Sequence, residues 1–409
     1  MGAGLSRTGD PDGNPRFYPP KTMITHQMVD AGKFALGFVA AALLAGGLLF
    51  FSWPLESPPA DDRALFGVLH SVHTRFSDGV MSQAQRVGEL KRHYGWAATV
   101  DHDVRVDDGE WTALRDEARK NNVDGVFTYF PGYEWKGAAA GGSEVTVFFV
   151  DDGPQSKVDG VDPGYDTFDG LIGWLKENNG IGCVNHPARA GNAVDWGSFE
   201  SDYEHYLPCV EMLNKVYYHW NDFWNCSAGS GCATYRNPRP DGSVWAGGVL
   251  RGLERGRRLG FVAGWDHHGI QGTPTAYTGL ANPYNRSREG IFETIRARHT
   301  WAAEARIVMD VRSGTKIMGD AFAQDAPTVR IVYNMTAEAG HIISETSLFL
   351  DGVIVNVTKH STKNAYGTSE VTVAPGREHF IFYEAVEDDG KRGWSSPMYV
   401  TYHVPDSPA

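Results

Sequence analysis

An α/β domain followed by an antiparallel β-sandwich, tethered by one N-terminal transmembrane helix, is the fold class this sequence predicts. Three observations predict it. From Arg63 to about Ala305, short apolar strand-like runs alternate with helix-like segments. Beyond Arg306 the pattern becomes alternation of apolar and polar residues. Residues 34–55 carry no charge at all.

Taken in order, residues 1–33 are rich in Gly, Pro and Asp and read as a cytoplasmic tail. Residues 34–55 read as a membrane anchor, since ~20 apolar residues span a hydrocarbon core of about 30 Å. Arg16, Lys21 and Lys33 precede this run and only Arg63 closely follows it. Positive-inside bias then places the N-terminus in the cytoplasm and the body in the periplasm or outside the cell. Residues 56–62 are a linker. Between 63 and 305 the strand candidates are ALFGVLH, WAATVDH, VFTYFPGYEW, EVTVFFV, IGCVNHP, PCVEMLN and GFVAGWDHH. SQAQRVGELKRHYG, EWTALRDEARKNN, FDGLIGWLKENNG, GGVLRGLERGRRLG and REGIFETIRARHT read as helices, with Gly95, Gly180 and Gly260 as C-terminal stops. Such alternation implies parallel strands with crossover helices, in a barrel or a doubly wound sheet. Residues 306–409 hold short alternating runs separated by Asp-Gly and Pro-Gly turns, as in a β-sandwich.

Composition narrows the function. A hydrophobic content of 42% supports packed cores, and a net charge of −13 without a basic stretch argues against nucleic acid as a partner. No Gly-x-Ser-x-Gly elbow and no phosphate loop occurs, which disfavours serine hydrolase and nucleotide hydrolase chemistry. Cys226 and Cys232 flank a flexible loop and are either a disulfide or two thiols, whereas Cys183 and Cys209 lie in apolar runs and read as small core residues.

The chemistry gathers at strand ends. LFGVLHSVHTRFSDG holds His70, His73 and Asp78; ATVDHD holds Asp101 and His102; GYEW holds Glu134; NHP holds His186; GWDHHG holds Asp266, His267 and His268. Imidazoles and carboxylates brought to one rim are ligands for Zn, Mn or Fe, and a carboxylate such as Glu134 can bridge two cations. These clusters, in this order, resemble the PHP (polymerase and histidinol phosphatase) metal-dependent hydrolases, and the tail from IRARHTWAAEARIVMDVRSG to GKRGWSSPMYV resembles an exported branch with a sandwich after the barrel.

The resemblance covers roughly residues 63–403. It implies a distorted (β/α)7 TIM-like barrel, two or three divalent metal ions, and phosphoester hydrolysis. Carried onto this chain, it implies His70, His73, Asp78, His102, Glu134, His186, Asp266 and His268 as ligands, with Asp266 and His268 also in the catalytic step. Asp101 would orient a neighbouring imidazole, and His267 would be structural. The chain departs from the family pattern in three places. His70-Ser-Val-His73 is one residue longer than His-x-His, Val68 replaces an Asp, and Glu144 stands where a His is usual. Glu144 reads as an edge-strand carboxylate or as a ligand for a harder cation. Arg189 is a candidate clamp for a substrate phosphate, or a surface arginine. The expected function is a membrane-anchored, externally facing phosphoesterase acting on a small phosphorylated molecule; the alternative is a scaffold built on a degraded site.

Overall fold

A computed structural model describes residues 66–70, 72–137, 140–141, 143–150, 152–154, 165–187, 194–198, 203–214, 248–270, 272, 274–281 and 286–404. Its first strands are β1 (Phe66–Val68), β2 (Trp96–His102), β3 (Thr128–Gly137), β4 (Ser143–Phe148), β5 (Ile181–Val184), β6 (Cys209–Asn214), β7 (Gly260–Gly264), β8 (Tyr277–Leu280) and β9 (Thr300–Ala303). Between them lie α1 (Gln83–His93), α2 (Asp108–Asn121), α3 (Phe168–Glu177), α4 (Tyr203–Tyr206), α5 (Val249–Glu254) and α6 (Arg288–Arg296). Ten further strands follow: β10 (Val308–Ser313), β11 (Lys316–Ile317), β12 (Ala321–Gln324), β13 (Thr328–Thr336), β14 (Ile343–Leu350), β15 (Val353–Thr362), β16 (Asn364–Thr372), β17 (Glu378–Glu387), β18 (Arg392–Ser395) and β19 (Met398–Tyr402).

This is a mostly β protein, and the α/β TIM-like barrel expected from the sequence is not what forms. Among the described residues nineteen strands stand against six α-helices, of which only α1 and α2 exceed ten residues. The strand directions are mixed. β1, β2 and β3 run parallel, as do β5, β6 and β7, but β4 is antiparallel to both its neighbours. The physical reason is loop length. Only residues 138–142 separate β3 from β4, whereas a parallel crossover needs at least about ten. β8 and β9 are too short to show a period in the sequence; β8 is antiparallel to β1, and β9 is antiparallel to β8.

One sheet of fifteen strands runs through both halves of the chain. Its main path is β12-β19-β17-β18-β9-β8-β1-β2-β3-β4-β5-β6-β7, with β14 and β15 branching from β17. β11, β10, β13 and β16 form a separate sheet of four. β7, at the end of the long path, meets side chains from strands far away. Ala263 N donates to Thr278 Oγ1 (2.9 Å) and Phe261 N to Ser396 Oγ (2.7 Å), while Leu259 N donates to the Tyr399 hydroxyl (2.6 Å). Hydroxyls thus take the place of a strand partner for these backbone donors.

The predicted helices form where expected, with different ends. Ser82 and Gln85 make a capping box at the start of α1, and Asp107 and Glu110 make one at the start of α2. The left-handed residue after α3 is Asn179 (φ 51°) rather than Gly180. Cys183 and Cys209 are buried, as expected of core residues, but they are also joined by a disulfide between neighbouring strands β5 and β6.

No helix of the described residues is long and apolar enough to cross a membrane. Residues 34–55, where the anchor was expected, lie outside the described residues, as do Arg189, Cys226 and Cys232. The single-pass anchor and the external placement derived from it therefore find no support.

Candidate metal centre

Two trios of parallel strands aim their C-terminal ends at one rim, and β4, running the other way, presents its N-terminal end there. Each strand end delivers one part of the cluster. β1 stops at Val68, and the chain resumes an extended path at Val72, which bridges His267. His70 O accepts from Trp265 N (2.8 Å) and Asp266 N (3.1 Å), and His73 N donates to His267 O (3.1 Å). His70 thus sits in a bend after β1 rather than on a regular strand, so the extra residue does not turn either histidine away. Their rings lie 6.0 Å apart on the same site.

Three overlapping sets of side chains converge closely enough to hold a cation. They are His70, Glu134 and His186; His70, His73 and Asp266; and His73, Asp78, His102 and His268. Glu134, on β3, touches the first and last with different oxygens. Its Oε1 lies 3.2 Å from His70 Nε2 and 3.5 Å from His186 Nε2, while Oε2 lies 3.0 Å from His102 Nδ1 and 3.8 Å from His73 Nε2. Asp266 Oδ1 sits 3.4 Å from both His70 Nε2 and His73 Nε2. His268 stacks on His73 at 4.0 Å and places Nε2 3.3 Å from Asp78 Oδ1.

Two observations fit a cation at these residues. His70 Nε2 and His73 Nε2 are buried without a hydrogen bond, facing carboxylate oxygens. Buried polar atoms rarely go unmatched. In addition, His186 (φ 22°) and Asp266 (φ 48°) adopt positive φ, a conformation that costs energy and clusters at functional sites.

The supporting residues are specific. Glu211 on β6 accepts from His70 Nδ1 (2.6 Å), from His186 N (2.6 Å) and from Asn214 Nδ2 (3.0 Å). A carboxylate only accepts, so the His70 proton sits on Nδ1 and Nε2 faces the cluster. Gly264 makes room for this contact, because a Cβ there would fall 1.8 Å from Glu211 Oε1. Asn185 donates Nδ2 to Glu134 Oε1 (2.8 Å), and its own Oδ1 accepts from Thr146 Oγ1 (2.8 Å). The strand-end motifs single out neither Glu211 nor Asn185. A single Glu inside the buried run Cys209–Asn214 is the signal that marks the first.

Asp101 acts through a relay rather than directly. It accepts from Thr74 N (2.7 Å), Thr74 Oγ1 (2.7 Å) and Ser77 Oγ (2.6 Å), and Ser77 Oγ in turn lies 3.3 Å from His73 Nδ1. Buried Arg86 steadies the same loops. It pairs with buried Glu89 (2.9 Å) and donates to His73 O (3.2 Å) and Gly269 O. Glu144 is buried, not a solvated edge residue. It lies 2.9 Å from His186 Nε2 and 2.8 Å from Lys136 Nζ. His267 stacks on Trp265 at 4.7 Å with its Nε2 3.1 Å from Ile270 O, away from the ligand sets.

Electrostatics follow from packing these groups together. Burial works against the imidazoliums, but the neighbouring carboxylates outweigh it. His73 is raised to about 9 by Asp266 and Asp78, His186 to about 10 by Glu134 and Glu144, and His102 to about 11 by Asp78 and Glu134. Burial likewise opposes the carboxylates, yet the imidazoles hold Asp78, Glu134 and Asp266 well below the usual carboxylate range. The metal-free cluster is therefore a network of imidazoliums and carboxylates that a divalent cation can enter by displacing protons.

No family model matches the chain. An uncharacterised protein of Chlamydia pneumoniae is 25% identical over 229 residues, which is 49% of this chain and 36% of that relative. The chain thus spans little more than a third of that relative's length. Among solved structures, PsfC from Pseudomonas syringae is 15% identical, covering 53% of this chain and 81% of its own, at a TM-score of 0.34. Fibronectin(III)-like modules of Clostridium thermocellum CbhA are 18% identical, covering 23% of this chain and 97% of their own, at a TM-score of 0.18. These scores do not establish a shared fold.

Proposed function

We propose that the chain is a metal-dependent hydrolase of phosphoesters, related to the PHP hydrolases that its strand-end motifs resemble. The observation that carries this reading is the division of Glu134 between two ligand sets, one oxygen on each. Divalent cations at such a site would supply Lewis acidity, lowering the pKa of water toward neutrality and offsetting charge that develops on a phosphoryl group.

The number of cations follows from ligand sharing. A neutral imidazole has one lone pair. His70 and His73 each belong to two of the three sets, so the sets cannot all be filled with full coordination. We infer two cations. The inner one is held by His70, Glu134 and His186, and the outer one by His73, Asp78, His102 and His268, with Asp266 beside both. Glu211 and Asn185 orient the inner ligands; Asp101, through Thr74 and Ser77, orients the outer ones. His268 and Asp78 are the most exposed members of the outer set, so they mark the open side where a leaving group would take its proton from water.

A scaffold with a degraded site is the competing reading, and Lys136 favours it by occupying one oxygen of Glu144. Elemental analysis decides between them. Two Zn, Mn or Fe per chain are expected after purification without chelators, with hydrolysis of p-nitrophenyl phosphate. Glu134→Ala should bring the metal content below one per chain and abolish turnover. A wild-type chain that keeps less than one metal after reconstitution would sink the hydrolase reading.

A further inference from the structure

We propose that Arg105 is a specificity-determining residue that takes an anionic phosphoryl oxygen of the substrate at the open side of the site. This rests on the hydrolase reading above and extends it to the substrate's charge.

Among the described residues, the cluster is open on one side only. Side chains of the inner set are at most 3% exposed. In the outer set, Asp78 is 35%, His102 24% and His268 38% exposed, so a ligand meets the cluster over these three residues. Arg105 stands at that edge. It closes the short 3-10 turn Asp103–Arg105, which follows directly on His102 at the end of β2. The buried Asp103 carboxylate accepts from Val104 N (2.8 Å), and Asp103 O accepts from Val106 N (3.3 Å), so the backbone carrying Arg105 is fixed. Its side chain is half-exposed and brings Nη1 to 4.0 Å from Asp78 Oδ2.

That distance is too long for a hydrogen bond. The guanidinium is near the cluster, but its donors are not committed to Asp78. Lys136 is the contrasting case, since its ammonium is tied to buried Glu144 at 2.8 Å on the inner flank. If a cation takes the Asp78 carboxylate, the attraction between Asp78 and Arg105 weakens, and two positive centres face the same opening. An anion that spans them offsets their repulsion. A phosphoryl group fits because its oxygens match the planar fork of the guanidinium while others face the cation. Local cations are needed for this, because the chain has a net charge of −13 and the cluster itself contains Asp78, Glu134, Glu144, Glu211 and Asp266.

The test uses the full chain loaded with metal and inorganic phosphate as the probe, titrated by calorimetry. Arg105→Ala should weaken phosphate binding about tenfold, the loss of one charge-assisted contact, with unchanged metal content. Arg105→Lys should recover part of the loss, because the charge remains and the fork does not. Arg119→Ala, on the exposed face of α2, is the control that should change nothing. Equal phosphate affinity in wild type and Arg105→Ala overturns the proposal and leaves the metal centre standing, as does a metal-loaded wild type that does not bind phosphate. A chain that takes up no metal overturns the hydrolase reading, and this proposal with it.

Discussion

The inner and outer ligand sets are made of the same residue types but are held in different ways. The inner one is clamped by side chains from the sheet. Glu211 and Asn185 come from β6 and the end of β5, and each makes hydrogen bonds to the ligands or their backbone. The outer one is built largely on loops, tied by the Asp101 contacts to Thr74 and Ser77 and by buried Arg86. One set is thus rigid and dry, the other adjustable and wet. If two cations bind as proposed, the inner one should be held more tightly and the outer one should exchange more readily as ligand arrives.

Separating the two sets by mutation should produce the largest effect at the inner one. Glu211→Ala removes the acceptor for His70 Nδ1 and for His186 N, and is expected to lower inner-set affinity by about 10–100-fold, while the outer cation stays. Competition with a chelator dye, combined with elemental analysis, would read this as two dissociation steps moving apart. Should both cations be lost together, the inner and outer sets are one unit and the comparison fails.

Asp101→Asn should act on the other side. It replaces a group that accepts three hydrogen bonds by one that must donate toward Thr74 or Ser77. About 1–3 kcal/mol of stability is expected to go with it, along with a smaller, roughly tenfold loss of outer-set affinity, within the range for supporting residues. Thermal unfolding of metal-free and metal-loaded protein would check the first, and the same dye titration the second.

The smallest effect, and the one with a distinctive sign, is pH. In the metal-free chain His73, His186 and His102 are raised to about 9, 10 and 11, so their contribution to stability is complete below the unfolded value of 6.5 and declines as pH rises through those values. Asp78, Glu134 and Asp266 are depressed, so theirs is complete above the unfolded carboxylate range and is lost toward acid. Metal-free protein should therefore be most stable from about pH 5 to 6.5, on those two sets of values. Metal uptake at pH 7 should release protons and tighten as pH rises, because the ligands must be neutral imidazoles. Calorimetry in two buffers of different ionisation enthalpy would measure the release; proton-neutral uptake would contradict the charge state described here.

How far the sequence announced this arrangement depends on the kind of information. Ligand-type residues at strand ends were legible one by one, because each follows a short apolar run. All eight of those expected, from His70 to His268, gather at one rim. The architecture around them was not legible. β4 reverses because five residues cannot make a crossover, and short strands such as Tyr277–Leu280 carry no usable period. The convergence of His70 and His73 despite the extra residue depends on a break in the strand path, which periodicity takes no account of. Glu211 was hidden for another reason. Its role exists only because Gly264, fifty-three residues on by their numbering, leaves space for its carboxylate.

The hydroxyl contacts along β7 have a consequence for synthesis. Phe261 and Leu259 donate to Ser396 and Tyr399, which lie 135 and 140 residues later in the chain. At about 5–20 residues per second, those partners leave the ribosome roughly seven to thirty seconds after the strand they complete. During that interval the strand leading to Asp266 and His268 has backbone donors without their final acceptors, so the centre cannot reach its finished form until the last strands have arrived.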